Sequence, residues 1–292
     1  MPTRAIDDLD NAGNCDFVHG LMERCLARGA LEVPLLPEVA LRVVRSAESG
    51  ESNAKLLAEI VSADSALAMA VLRVAGSAGK GSGSPVGSVQ QAVAWLGFDE
   101  VANIAFTLAL QATILDVPGH HTLARRLWRH ALASALWSRH LARLLRRDGG
   151  ASYLCGLLHN VGKPVTLGAV HKLSRRAQAR LSREEYERLI ETFHHPVGIQ
   201  VVGGWNMRAG VQAAAAHWMA YAGAGDARFE CNIVNVAHAL ADCTLESSTQ
   251  LARELMPAER AFRDLGLGTE DVVALFDAAD SIRAELDRFL AP

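Results

Sequence analysis

Residues 153–163 read YLCGLLHNVGK. Leu154, Leu157, Leu158 and Val161 recur at helical spacing, so an apolar stripe runs along the segment. The stripe ends in the pair His159 and Asn160, then in Gly162, which lets the backbone turn, and Lys163. A histidine at the end of a buried stripe is either a hydrogen-bonded core residue or a ligand. Its company elsewhere in the chain decides between the two.

Upstream, residues 122–147 have the period of one long helix. At about 100° per residue, Leu123, Leu127, Ser134, Trp137 and Leu141 share a narrow stripe, and His130 falls inside it. Arg125, Arg129, Arg139, Arg143, Arg146 and Arg147 fall on roughly the opposite face, which reads most simply as a solvated surface, with phosphate or an acidic partner as the other reading. Downstream come His194 and His195 before Pro196, His217 in AAAAHW, and Asp242 in HALADC. Several neutral imidazoles and a carboxylate on separate helices are the donors that a divalent cation such as iron, manganese or zinc takes inside a helical bundle. Asp242 has a second reading. Asn235, His238 and Asp242 form one polar helix face, on which His238 and Asp242 can pair across a turn. Lys163 likewise either binds phosphate or neutralises carbonyls at the helix end.

The surrounding 292 residues are 50% hydrophobic but only 5% aromatic, a balance of packed helices rather than of sheets, and an all-α fold is expected. Net charge is −3, so no overall basic field draws the chain to nucleic acid or to an anionic membrane. The most apolar long stretch, residues 101–117, is interrupted by Asn103, Thr107, Gln111 and Asp116 and lacks the roughly 20 apolar residues of a membrane span; it reads as a buried helix. The acidic opening MPTRAIDDLD has no secretory order, and a cytoplasmic protein is expected. Cys15, Cys25, Cys155, Cys231 and Cys243 form no C-x-x-C and read as reduced core thiols.

Punctuation along the chain sets the organisation. Pro34 and Pro37 bracket a turn before a helix carrying Val39, Ala40, Val43 and Val44. Asp64 reads as the N-cap of a central helix packed on several neighbours, and GKGSGSPVG, residues 79–87, is the strongest loop signal. Ser88 and Gln91 make a capping box for a helix that Gly97 stops, after which Asp99 can cap the next. DVPGHH, residues 116–121, separates an N-terminal helical subdomain, 1–118, from a second, 119–292. In the second, helices are expected over 122–147 and 151–161, from Ser182 with its capping partner Glu185, from His195 or Pro196, from about Arg208, and over 231–245 and 269–290. No G-x-S-x-G and no P-loop order of glycines occurs.

These residues resemble a known family. VPLLPEVALRVV, LLAEIVSADSALAMAVLRVAGSA and SVQQAVAWLG, then LWRHALASA, LCGLLHNVGK, HHPVG with GWNM, AAHW and HALADC, are similar in order to the landmarks of HDOD proteins over about residues 31–245. These are bacterial signalling modules whose second half is related to the HD metal-dependent phosphohydrolases. The resemblance implies an N-terminal helical bundle packed on an HD-like bundle. It makes His130, His159, Asn160 and Asp242 the counterparts of HD metal ligands, with His194 and His217 as auxiliaries. Ser65 and Gly76 stand where the family usually has proline and asparagine, and two expected ligands are altered. Asn160 stands in place of an aspartate, and Trp218 in place of the second histidine of a pair. An amide carries no charge and an indole only donates, so the set suits one metal better than two. The expectation is a non-catalytic regulatory module that contacts a kinase, a response regulator or a cyclic-dinucleotide enzyme. The alternative is a phosphohydrolase on a nucleotide or cyclic dinucleotide that uses Lys163.

Overall fold

The computed structural model describes residues 3–48, 54–78, 86–246 and 260–290, and every regular element among them is a helix. Helix α1 (Thr3–Ala27) is missing from the sequence expectation, although Cys15, Val18 and Met22, all buried, mark its inner face. It lies against the second half of the chain, with the His19 ring 4.8 Å from that of Phe193 and Gln200 Nε2 donating to the Leu26 carbonyl.

The first bundle comprises α2 (Glu38–Glu48), α3 (Ala54–Ser62), α4 (Ser65–Ala78), α5 (Val89–Leu96) and α6 (Phe98–Ile114). Asp64 Oδ1 accepts the backbone N–H groups of Ala66 and Leu67, capping α4 as its position predicts. Ser88 Oγ accepts Gln91 N–H, but the Gln91 side chain reaches back to Gly87 N–H rather than to the cap residue itself. Gly97, at φ +87°, turns the chain directly into α6, so Asp99 falls in the first turn and not at the cap. Helix α6 is buried on most of its surface. Helix α4 packs on several neighbours as expected, among them α3, α5 and α6, burying Leu67, Val71, Val74 and Ala75, but Met69 stays 68% exposed, so it is not covered all round. The glycine-rich loop falls largely on residues 79–85, outside the described residues.

The second bundle is built on α7 (His121–Leu144), against which α8 (Gly149–Leu158) and α12 (Arg228–Glu246) pack most extensively. Between them run α9 (Gly162–Arg176), α10 (Arg183–Gly204) and α11 (Ala209–His217), then two short 3₁₀ turns, Trp218–Gly223 and Gly225–Ala227. The capping box of Ser182 and Glu185 forms as expected. The expected break at His195 or Pro196 does not occur, and α10 continues through Pro196. One backbone hydrogen bond is forfeited there. Burial of Phe193 and Val197, and a 3.0 Å contact from His195 Nε2 to the Ala216 carbonyl, hold the segment helical.

The chain closes with α13 (Arg260–Asp264) and α14 (Thr269–Leu290). Helix α14 packs on both α7 and α4, spanning the two bundles. This corrects the reading of the arginine face. Arg139 is buried, paired with Glu100 of α6 and, at 2.5 Å, with Glu285 of α14, because these helices cover the side of α7 opposite His130. Arg143 also pairs with Glu100, and Arg147 lies 4.4 Å over the Phe229 ring. Arg139→Met takes its charged partner from the half-buried Glu285 and leaves Glu100 with Arg143 alone, and a loss of about 1–3 kcal/mol in urea unfolding is expected. A loss below about 1 kcal/mol places the pair with weak surface bridges.

Candidate metal centre and its cavity

Two glycines fix the turn that carries His159 and Asn160. A Cβ on Gly156 would overlap Ser138 Oγ and approach the Ser134 carbonyl oxygen to 2.6 Å, so α8 sits directly on the backbone of α7. A Cβ on Gly162 would overlap the His194 carbonyl oxygen and come within 2.7 Å of Gly198 N, so α9 starts in contact with α10. Side chains at either position would push the helices apart, and typical overpacking costs about 1–3 kcal/mol or more.

Held this way, His159 is 3% exposed and its Nδ1–H donates to the Gly156 carbonyl at 2.7 Å. Nε2 therefore turns away from its own helix, 3.0 Å from Nδ1 of His238. His130 Nε2 stands 2.9 Å from Asp242 Oδ1, at ion-pair distance but without hydrogen-bond alignment, and His238 Nε2 lies 3.6 Å from Asp242 Oδ2. One ring nitrogen each from His130, His159 and His238 lies within 4.8 Å of the others. The indole of Trp218 covers this triad, tilted over His238 at 4.3 Å and edge-on to His159 at 4.9 Å, with its carbonyl accepting from Asn235 Nδ2.

The structure thus brings His130, His159 and Asp242 together and adds His238, which sequence reasoning assigned only to pairing with Asp242. The signal was its position, one turn before Asp242 on the same face. Asn160 lies at the edge of the same space, 5% exposed, with its Oδ1 lacking any hydrogen-bond partner. His194 remains outside the triad, its Nδ1–H directed at the Ile190 and Glu191 carbonyls of its own helix. His217 is exposed at the end of α11, and its neighbour Trp218 is the residue that reaches the histidines. Lys163 pairs with Glu191 at 2.8 Å. Next to the triad opens a cavity of about 640 Å³, lined by Arg125, Arg129, His130, Asn160, Lys163 and Asp242 among others. Arg125 and Arg129 thus reach round α7 to this cavity instead of only solvating the outer surface.

Burial, then the charges of His238 and His130, holds the His159 imidazole well below the usual histidine range. Burial and then His130 push His238 down to about 3. Burial works to raise the Asp242 carboxyl, but His130 beside it, then His238 and Lys163, outweigh that and keep it low. Neutral imidazoles and an ionised carboxylate are the protonation states that metal binding needs. A ligating histidine whose other nitrogen donates to a backbone carbonyl is the usual outer arrangement of such sites. Three imidazoles, one carboxylate and an unpartnered amide oxygen fit a single zinc, iron or manganese ion.

Residues 33–220 match the HDOD domain. The chain belongs to the HDOD family. Asp242 and His238 lie beyond the matched segment of this HDOD protein. A protein of Shewanella amazonensis SB2B, provisionally named a metal-dependent phosphohydrolase, shares its fold at a TM-score of 0.73, with 23% identity over 94% of this chain and 99% of the other. An HDOD domain protein of unknown function from Geobacter sulfurreducens superposes at 0.69, with 23% identity over 91% and 98%. A protein of Marinobacter aquaeolei VT8, provisionally named for signal transduction, superposes at 0.65 with 26% identity over 96% of this chain and 66% of the other. An uncharacterized protein of Treponema pallidum is 23% identical over 184 residues, and the HDOD chain spans 35% of its length. Among the described residues no helix is long and apolar enough to cross a membrane.

Two predictions follow from the geometry. The folded-state values of His159 and His238 lie below the unfolded value near 6.5, so the unfolded chain binds protons first. Stability is full above that value and falls as pH drops through it, by up to about 1.4 kcal/mol per pH unit for each buried neutral imidazole. Chelator-treated protein is expected to melt at a lower temperature at pH 5.5 than at pH 7.5, with a smaller difference in His159→Gln. Asn160→Asp is expected to stay folded and to bind zinc more tightly in competition with a chromogenic chelator, because a charged oxygen replaces a neutral one. Unfolding of that variant marks Asn160 as a core residue.

Proposed function

We propose that the chain is a regulatory module of bacterial signal transduction, acting through contacts with a kinase, a response regulator or a cyclic-dinucleotide enzyme, with a one-metal centre that does not hydrolyse phosphodiesters. The observation that carries this reading is Trp218. Its indole packs on His238 and His159, filling the flank of the triad where a second imidazole would otherwise extend the donor set. Asn160 adds to it, since a neutral amide neither balances the charge of a second ion nor bridges two. Large exposed apolar side chains such as Leu35, at 88%, and Met69 support recognition of another protein.

In this reading His130, His159, His238 and Asp242 would hold the ion, and a bound divalent metal would supply Lewis acidity and positive charge at that point. The Gly156 carbonyl orients His159, Trp218 limits access from one side, and Lys163 is occupied by Glu191. A surviving hydrolase is the second reading, favoured by the cationic cavity adjoining the triad.

The test is elemental mass spectrometry of untagged full chain, grown with iron, manganese and zinc and purified without chelator, beside a phosphodiester hydrolysis assay. About one equivalent of metal, lost in His130→Ala and His159→Ala, with no hydrolysis above the His159→Ala background, is expected. Turnover that disappears in His159→Ala overturns the regulatory reading.

A further inference from the structure

A second cavity, of about 380 Å³, opens where the end of α1 and the segment after it meet the end of α6 and α9. It shares no lining residue with the cavity beside the triad, and its volume lies within the roughly 300–1,000 Å³ of small-molecule sites. The wall is mostly apolar, with Val33, Ile114, Val117, Val165 and Leu173 among its residues. Its outer side is anchored without regular structure: Gly29, at φ +59°, follows α1, and the Pro34 carbonyl accepts Trp205 Nε1–H at 2.7 Å. Gly168 keeps the floor open. It lies inside α9, where glycine is less favourable than alanine, yet a Cβ there would meet only Val117 Cγ2, at 3.9 Å. Neither a positive φ nor a close approach calls for a glycine at this position, and what the missing side chain leaves is cavity.

Four charged groups line the space. Lys172 and Arg176, one turn apart on α9, both pair with Glu32, at 3.1 and 3.5 Å, and Asp116 stands on the α6 side. Two cations thus face two carboxylates, and Glu32 is an exposed one on a non-helical segment. Exchange of Glu32 for another carboxylate preserves that balance, whereas a phosphate would add a second negative charge to a space that already holds Asp116. We propose that this cavity binds a monocarboxylate with an extended apolar body, of fatty-acid type, its carboxylate replacing Glu32 on Lys172 and Arg176 and its chain lying along Val33, Ile114, Val117 and Val165 over Gly168. The site goes beyond the regulatory reading and depends on neither that reading nor the metal centre.

Isothermal titration calorimetry of the full chain with octanoate, 1-octanol and acetate tests it. Octanoate is expected to bind, 1-octanol to bind about threefold to fivefold more weakly, and acetate not to bind in the same range. Arg176→Gln is expected to weaken octanoate by about threefold to fivefold, the size of an exposed charge pair, and Glu32→Gln, which removes the competing carboxylate, to tighten it by a similar factor. Gly168→Leu fills the floor and abolishes binding, while Gly168→Ala, whose methyl has room, retains it. Thermal melting verifies that each variant folds. Cys25 gives a second readout in the unaltered chain: its thiol lines the cavity, so octanoate slows its alkylation by iodoacetamide, read by peptide mass spectrometry, and leaves that of Cys243 on α12 unchanged. Absence of octanoate binding at millimolar concentration, undiminished binding by folded Gly168→Leu, or alkylation of Cys25 unaffected by saturating octanoate overturns the site. Equal affinity for 1-octanol, or a Glu32→Gln variant that binds no more tightly, overturns the carboxylate exchange. Acetate bound as tightly as octanoate overturns the apolar body.

Discussion

The close contact of four helices around one short turn is the constraint on which the site depends. Gly156 lets α8 rest on α7, and Gly162 lets α9 begin against α10. Between those two contacts the chain has five residues, and among them are His159 and Asn160. The imidazole is thereby fixed by steric exclusion on both sides before any hydrogen bond is counted. The Gly156 carbonyl then does a second task, accepting the Nδ1 proton and leaving Nε2 to face α7 and α12. Position and tautomer come from the same residue.

The polar groups of the second bundle are buried in an ordered hierarchy. Thr107 meets the Tyr153 hydroxyl at 2.8 Å, and Trp137 Nε1 donates to Thr244 at 2.9 Å, tying α6 to α8 and α7 to α12. Arg139 adds a charged tie to α6 and α14. These pairs satisfy their members, as burial in a poorly polarisable interior demands. The histidine triad differs. Asn160 Oδ1 and Trp218 Nε1 beside it are buried and without a hydrogen-bond partner.

Sequence periodicity exposed much of this architecture. The stripe of α7 directed His130 inward, the Ser182 box opened α10, and α14 occupies the span its pattern implied. What it missed has a common cause. Amphipathic reasoning treats a helix as having one buried face, and α7 has two, the second covered by α14, whose Glu285 lies 146 residues from Arg139 in sequence. Arg139 looked solvated for that reason. His238 looked like a surface partner of Asp242 because a single helix cannot reveal that a second helix, carrying His130 and its neighbours, stands opposite. Pro196 suggested a break because local rules do not weigh the burial on either side of it.

The tie between Arg139 and Glu285 joins residues 146 apart in the chain. During synthesis at about 5–20 residues per second, the arginine emerges roughly 7–30 s before its second carboxylate exists. For that interval Glu100 is its sole anionic partner and the far side of α7 is uncovered. The helix that carries His130 therefore cannot reach its final environment locally. Maturation of the site follows the arrival of a distant segment that touches none of its histidines, a temporal dependence written into the topology.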